Sequence, residues 1–454
     1  MDDVRGSKVA VVGLGASGRA AARLILEKGG EVYVSDVRAD AQTAAGGAEL
    51  RDLGADVERG GHDVERMARA DLVVVSPGIP PDAPVLRALA ERGVRWISEP
   101  ELAFRFFSGP LIAVTGTNGK TTTTLLVAHL LEASGLRAAA GGNVGGGLAP
   151  TASELALRAD APDWYVLEMS SYQLAGIERF RPDIGVVTNL SPDHLDRYGS
   201  VEAYYADKAR LFSNADDASR WILPAGDREV AALAGDAPGA RHHFGLAASE
   251  GTQAFVRDGH LTLRVDGDEE LVAVTDLPLL GRHNQLDALA ASLAARVAGA
   301  DAEGIGRGLR TARPLPHRLQ PVAEGRGVLW VNDSKATNVA ATRSALESLS
   351  RPVVLLLGGK DKGEDFGTLA PALPGRVRAI VAFGAAAARI ASALQGLVPL
   401  TVERGSMAEV VAAAGARAVE GDIVLLSPAC SSFDMFENYE DRGRRFAALA
   451  REIA

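Results

Sequence analysis

Cysteine is nearly missing. Cys430 stands alone among 454 residues, which excludes an internal disulfide and the small stapled folds of secreted domains. Long apolar runs are missing as well: Val353 to Leu357 is among the longest, far short of the ~20 residues a membrane span needs. Positive charge is in deficit, with 48 Lys and Arg against 58 Asp and Glu for a net charge of −10, and there is no basic stripe. That argues against non-specific nucleic-acid binding, although a few local cations and amides can still hold a small anion. Met1-Asp2-Asp3-Val4-Arg5 lacks the basic-then-apolar order of a signal peptide. Glycine and proline, at 50 and 21, stay below the level that marks disorder. What remains is 47% hydrophobic and 23% charged, an ordinary globular balance. The expectation is a cytoplasmic enzyme of roughly three domains, without membrane insertion.

What is present is an alternation of short apolar strands and Ala-rich helical stretches. Strands read at Val9 to Val12, Glu31 to Ser35 and Leu72 to Val75. After the break Ser108-Gly109-Pro110 they read at Leu111 to Thr115, Tyr165 to Leu167 and Ile184 to Thr188. Phe255 to Val274, with a turn at Gly267, reads as an antiparallel patch. A second break, Arg313-Pro314-Leu315-Pro316, precedes strands at Val328 to Val331, Val353 to Leu357, Ala379 to Phe383 and Ile423 to Leu426. This pattern predicts an α/β chain of mostly parallel sheets. The expected domains are a Rossmann-like N-terminal one (1–107), a central P-loop ATPase-like one with the small antiparallel patch (108–313), and a Rossmann-like C-terminal one (314–454). Nearly every polar or Gly-rich loop follows a strand, where open α/β sheets bind ligands.

Gly13, Gly15 and Gly18 form G-x-G-x-x-G between a strand and a helix, with Asp36 at the end of the next strand. Such glycines permit close backbone approach to a diphosphate at a helix N-terminus. The residues alone do not choose between NAD and another diphosphate nucleotide. Gly116-Thr117-Asn118-Gly119-Lys120-Thr121 also joins a strand to a helix. Its end is that of a phosphate loop: amides cradle phosphates, Lys120 reaches the terminal ones and the Thr121 hydroxyl meets Mg²⁺. The usual first glycine falls on Val114, so the loop is a shortened variant. Glu168, at a strand end, is the acid available to the same Mg²⁺. His194, in Asp193-His194-Leu195-Asp196, reads equally as structural or as a ligand. Val201, Tyr204, Tyr205, Lys208, Leu211 and Phe212 share helical spacing, which puts Lys208 inside an apolar stripe. A snorkelling lysine and a buried reactive amine both explain it. Cys430 has no adjacent base and reads as a small buried apolar residue.

Taken together, these segments resemble the Mur ligases, the ATP-dependent amino-acid-adding enzymes of peptidoglycan synthesis, over essentially the whole chain. Gly116 to Thr121 is shared across that superfamily. More specific are Gly142-Asn143, Asp193 to Tyr198, Pro316-His317-Arg318, Asp333-Ser334-Lys335-Ala336-Thr337-Asn338 and Ser427 to Phe433. The resemblance implies that Gly116, Thr117, Asn118, Gly119, Lys120, Thr121 and Thr122 bind ATP, with Asn284, Arg318, Asp333 and Lys335. It implies two Mg²⁺ ions, held through Thr121, Glu168, His194 and a carbamylated Lys208, with Lys120, Glu168, His194 and Lys208 as the catalytic set. A carbamate makes chemical sense there, because an ammonium cannot ligate Mg²⁺ whereas a carbamate offers carboxylate-like oxygens. Gly15, Ser17, Asp36, Arg38 and Gly78 would bind a uridine diphosphate in place of NAD, with Asn143 and His194 reaching the same substrate. Thr337, Lys362, Ser432 and Phe433 would position an incoming glutamate.

The Asp-Asn-Pro-Arg signature of diaminopimelate-adding relatives is absent, which favours glutamate. The implied partners are small molecules: UDP-N-acetylmuramoyl-L-alanine, D-glutamate and ATP. L-glutamate or another amino acid is the alternative, and the oligomeric state is left open. A folylpolyglutamate synthetase is disfavoured by the complete first domain, an NAD-linked oxidoreductase by the lack of a hydride-transfer constellation, and a non-catalytic regulator by the intact Lys120, Thr121, Glu168 and His194.

Overall fold

The computed structural model describes residues 4–80, 83–145, 147–193, 197–265 and 267–454. Three sheets follow one another along the chain. The first comprises β1 (Lys8–Val12), β2 (Glu31–Asp36), β3 (Asp56–Arg59), β4 (Leu72–Val75) and β5 (Ile97–Ser98) in the order β3-β2-β1-β4-β5, all parallel. β1 is buried from Val9 to Val12 because helices cover both faces.

The second sheet runs β14-β13-β12-β11-β10-β9-β6-β8-β7. Its strands are β6 (Leu111–Thr115), β7 (Ala138–Gly142), β8 (Trp164–Glu168), β9 (Ile184–Val187), β10 (Arg220–Pro224), β11 (Ala240–Phe244), β12 (Thr252–Arg257), β13 (His260–Arg264) and β14 (Asp268–Ala273). Only the pairings β12–β13 and β13–β14 are antiparallel, which is the expected patch; Gly267 lies in the β13–β14 connection, whose Asp266 falls outside the described residues.

The third sheet has the order β15-β16-β20-β17-β18-β19, with β15 (Gln320–Gly325), β16 (Val328–Asn332), β17 (Val353–Gly358), β18 (Val377–Phe383), β19 (Leu400–Glu403) and β20 (Ile423–Leu426). β15 alone is antiparallel to its neighbour. β17 reads Val-Val-Leu-Leu-Leu-Gly and is buried throughout, as a central parallel strand should be.

The first two sheets belong to one compact unit, formed by the chain up to Val274 and by Leu286–Arg310. Thr275–Gln285 and Thr311–Ala454 form the second. In the first unit one apolar core runs from Val9, Leu24 and Ile25 through Leu102 and Ala103 to Leu111, Leu155 and Phe180, and a second gathers Ala10, Val12, Val73 and Leu86. Among the described residues, no helix is long and apolar enough to cross a membrane.

Strand order decides which loops meet. β2, β1 and β4 are neighbours, so Asp36, Gly13 and Ser76 share one edge. β9, β6, β8 and β7 are neighbours, which gathers Thr188, Gly116, Glu168 and Asn143. In the third sheet β16, β20 and β17 bring Asp333, Ser427 and Gly358 together. Each group lies at the carboxyl ends of parallel strands.

Candidate active site

The loop after β6 is shaped by two glycines that no other residue could replace without strain. Gly116 has φ +139°, and a Cβ there would sit 2.0 Å from Thr188 Oγ1; Gly119 has φ +80°, and its Cβ would sit 2.2 Å from Asp287 Oδ1. The next helix, Lys120–Ala133, starts without a side-chain cap, so its first amides are available to an anion. β9 steadies the loop. Asn118 N donates to Asn189 Oδ1 at 3.0 Å, Asn189 Nδ2 returns a bond to Asn118 O at 3.0 Å, and Thr188 Oγ1 donates to the same carbonyl at 2.6 Å. Lys120 Nζ donates to Thr117 O at 2.8 Å, within its own loop.

Glu168, at the end of β8 and 3% exposed, accepts from Thr121 Oγ1 at 2.7 Å and from Asn143 Nδ2 at 3.2 Å. Gly142 makes this meeting possible: at φ +90° its Cβ would lie 2.4 Å from Glu168 O. Among the described residues there is no cluster of three or more His, Cys, Asp or Glu side chains that could hold a metal. One carboxylate and one hydroxyl nevertheless fit Mg²⁺, which prefers hard oxygens and commonly uses one or two carboxylates with phosphate oxygens and water.

Lys208 lies in the last turn of the helix Val201–Ala209, which Ser200 caps by accepting from Ala203 N. It is 1% exposed, so the snorkelling alternative falls away. Its Nζ donates to Gly116 O at 2.7 Å and stands 4.7 Å from the Tyr204 ring centroid. Tyr204 in turn donates to Thr117 Oγ1 at 3.3 Å. Burial drives the Lys208 amine well below the usual lysine range, and Lys120 pushes the same way, while Asp193, Glu168 and Asp207 oppose both. A neutral amine is the form that adds CO₂, so the residue fits carbamylation. His194 lies outside the described residues.

In the first sheet, Gly13 turns at φ +105°, and a Cβ on Gly18 would fall 1.9 Å from Gly13 O. Gly15 caps the helix Ala16–Glu27 without a side chain; Ser17 is half-buried and Gly78 exposed on the same edge. Asp36 is fully engaged. Oδ2 accepts from Leu14 N and Arg38 Nη2, each at 2.8 Å; Oδ1 accepts from Arg38 N at 2.9 Å and Arg38 Nε at 3.1 Å. Burial raises this carboxyl, but the bonds from Arg38 and the two amides outweigh it and hold the group down at about 2. Since a carboxylate has about four acceptor positions, none is left for the ribose hydroxyls that such an acid takes in NAD sites. The sequence reading did not single out the Ser76 hydroxyl, which is buried without a partner and faces Gly13 and Gly18.

In the second unit, Asp333 accepts from Ser427 Oγ at 2.7 Å and Leu319 N at 3.2 Å. Burial pushes its carboxyl up to about 7 against those bonds and the Arg318 charge. Lys335 Nζ stands 4.1 Å from the Tyr439 ring centroid, and burial followed by Arg318 lowers its amine. Asn284 Nδ2 donates to Leu280 O at 2.6 Å. Lys362 Nζ lies 3.5 Å from Thr337 Oγ1; Ser432 is buried at 2% and Phe433 is 67% exposed. Cys430 is buried, which pushes its thiol up to about 12.

The sequence reading missed Arg442, which is wholly buried. Its Nε and Nη2 donate to Ser334 Oγ and Ser334 O at 2.9 and 2.8 Å, and its Nη1 donates to Cys430 O at 3.0 Å and Ser431 O at 3.3 Å. One guanidinium thus joins the loops after β16 and β20. One Arg among the four of an amphipathic helix gives no sequence signal for this.

Three family models match the chain. Residues 7–98 match the Mur ligase MurD-like N-terminal domain, 114–295 the Mur ligase middle domain, and 317–430 the Mur ligase glutamate ligase domain. The UDP-N-acetylmuramoylalanine–D-glutamate ligase of Acidobacterium capsulatum is 44% identical over 452 residues, covering 98% of this chain and 96% of its own. The enzyme of the same name from Koribacter versatilis is 41% identical over 453 residues, covering 100% and 99%. Among solved structures, the UDP-N-acetylmuramate–alanine ligase of Thermotoga maritima superposes with a TM-score of 0.58 at 20% identity over 97% of this chain and 98% of its own. That likeness concerns the fold.

Proposed function

The chain belongs to the Mur ligase family, and we propose that it joins D-glutamate to UDP-N-acetylmuramoyl-L-alanine at the expense of ATP, releasing ADP and phosphate. The observation that carries this reading is the meeting of Thr121, Glu168, Asn143 and the buried Lys208 on one phosphate loop. The expected domains, 1–107, 108–313 and 314–454, take the acceptor nucleotide, ATP and glutamate respectively.

Each group then has a task. Amides of Gly116 to Thr122 and the Lys120 ammonium, exchanging its loop carbonyl for phosphate oxygens, hold the ATP phosphates and neutralise the charge that builds up during transfer. Thr121 and Glu168 would hold one Mg²⁺; His194 and carbamylated Lys208 would hold a second. When bound, these ions supply electrostatic stabilisation of the transferring phosphoryl group. Asn143, fixed through Glu168, orients the acceptor carboxylate for attack on the γ-phosphate, which gives an acyl phosphate. Gly15, Ser17, Arg38 and Gly78 hold the uridine diphosphate, while Asp36 shapes the loop and aligns Arg38. Asn284, Arg318, Asp333 and Lys335 contact ATP. Thr337, Lys362, Ser432 and Phe433 orient the glutamate whose amine displaces phosphate from the acyl carbonyl.

The test is phosphate release from ATP with UDP-N-acetylmuramoyl-L-alanine and D-glutamate, L-glutamate or diaminopimelate. Release that requires the acceptor and D-glutamate supports the reading. Release with another amino acid in preference, or release indifferent to the acceptor, refutes it.

A further inference from the structure

Two buried acids in the first unit serve neither of the loops described above. Glu99 and Glu101 both lie on the helix Glu99–Phe104, directly after β5, and neither is exposed to solvent. Their partners lie in the second sheet's part of the unit. Glu99 Oε1 accepts from Ser153 N at 2.5 Å. Glu101 Oε2 accepts from three consecutive amides, Glu178 at 3.0 Å, Arg179 at 3.0 Å and Phe180 at 2.8 Å, while Arg105 bonds its other oxygen at 3.3 Å. A backbone bond from Ser98 N to Gly176 O, 2.8 Å, joins the same two parts of the unit.

What they grip matters. Ser153 belongs to the helix Ala152–Ala156, which closes the loop begun by Gly142 and Asn143. The amides of 178–180 follow the helix Ser171–Ala175, which begins three residues after Glu168. Each acid therefore holds the far end of a short segment whose near end is at the Asn143–Glu168 contact. On the other side, the helix Ala16–Glu27 opened by the glycine loop shares one core with Leu102, Ala103, Ala152 and Leu155. The helix Glu99–Phe104 is thus bonded to segments that lead to one ligand edge and packed on the helix that opens at the other, and the helices Ala16–Glu27 and Ala152–Ala156 also touch directly.

We infer that Glu99 and Glu101 are positioning residues that set the separation of the glycine loop from the Asn143–Glu168 contact, so that one acceptor molecule is held at both ends. This rests on the reading of the acceptor as a UDP-linked molecule with its carboxylate at the second sheet. A ligand that bridges two subsites gains an effective concentration fixed by their spacing and stiffness. Loosening the spacer costs the bridging ligand and spares each half. Charge-assisted bonds from three amides to one oxygen are the stiff part of this joint.

The test is calorimetry on the full chain with three ligands, UDP alone, ATP alone and UDP-N-acetylmuramoyl-L-alanine, for the wild type and Glu101→Gln. The expected result is binding of UDP and ATP within about twofold of wild type and binding of the acceptor weakened about tenfold or more. In turnover, the acceptor KM rises while the glutamate KM holds. Equal weakening of UDP and acceptor, or no weakening of either, overturns the inference. If Glu101→Gln does not fold, Glu101→Asp, which keeps the charge and shortens the reach, carries the same comparison. A wild type that binds neither UDP nor the acceptor refutes the functional reading itself, whereas wild-type binding with no change in the variant refutes the spacer alone.

Discussion

Replacing Glu99 by Gln changes how stability depends on pH, in a direction the structure dictates. The Glu99 carboxyl is fully buried; one oxygen takes the Ser153 amide and the other has no partner. Burial pushes the group from 4.5 up to about 7, the Ser153 bonds oppose that, and Glu154 adds to it. The folded state therefore binds the proton more tightly than the unfolded chain. Below pH 4.5 both states are protonated and the group is neutral in its effect. As pH rises toward 7 the unfolded chain releases its proton first, and folding loses stability at about 1.36 kcal/mol per pH unit. The accumulated loss is about 3 kcal/mol, complete above pH 7. Gln keeps the acceptor for Ser153 and cannot ionise, so it escapes this loss. Urea unfolding of both proteins at pH 5, 6, 7 and 8 reads the difference. Trp96, whose ring packs on Gly176 beside this joint, is the local fluorescent reporter. The variant should gain on wild type steadily from pH 5 to 7 and level off by pH 8. Parallel stability profiles for the two proteins would refute the reasoning.

Other outcomes follow from the site. Lys208→Ala should fold yet lose most phosphoryl transfer, with partial recovery on adding acetate or formate; near-normal turnover would end the carbamate proposal. Lys362→Ala should raise the glutamate KM far more than the ATP KM, because a lost charge-assisted contact weakens the ligand it touches, and an unchanged glutamate KM counts against the placement. Since Asp36 is saturated by Leu14 and Arg38, calorimetry should show UDP-N-acetylmuramoyl-L-alanine binding with none of NAD or NADP. Tight NAD binding would revive the oxidoreductase. Gly119→Ala places a methyl against Asp287 at a positive φ, and ATP affinity should fall with little change in UDP affinity.

The strands most legible in the sequence were the buried parallel ones: β1, β4, β6, β17 and β20 are nearly continuous runs of Val, Ile, Leu and Ala bounded by glycine, Thr, Ser or Pro. β7 was invisible because Ala138 to Gly142 is Ala-Ala-Ala-Gly-Gly, small residues with no β signal, kept small by the close passage of Glu168, Pro150 and Leu155. β3 and β11 were missed because their charged and His residues leave no apolar run, and β10 because its buried Trp221-Ile222-Leu223 is only three residues long between Arg220 and Pro224. Site residues on Gly-rich turns could be read because glycine and lysine at fixed spacing carry the chemistry themselves. Periodicity placed Lys208 in an apolar stripe but could not say that its amine ends against Gly116 O, since that bond spans 92 residues. Asp36 shows the opposite gap: its position was plain, while its engagement by Arg38 depends on a side-chain fork that no spacing rule reports.

The Arg442 guanidinium bonds Ser334 with two of its nitrogens and Cys430 and Ser431 with the third, and no carboxylate balances its charge in these contacts. Burial lowers it only to about 10, so it stays a cation at neutral pH. The loops after β16 and β20 are therefore heritable only as a pair. Inserting or deleting a residue in either would withdraw carbonyls from a charge that has no route to water, a cost of several kcal/mol. Substitution at the loop tips, as at exposed Phe433, escapes that penalty. Side chains on these loops can therefore change at fixed loop length, whereas segments such as 396–399, far along the chain from this guanidinium, are free of that constraint on length.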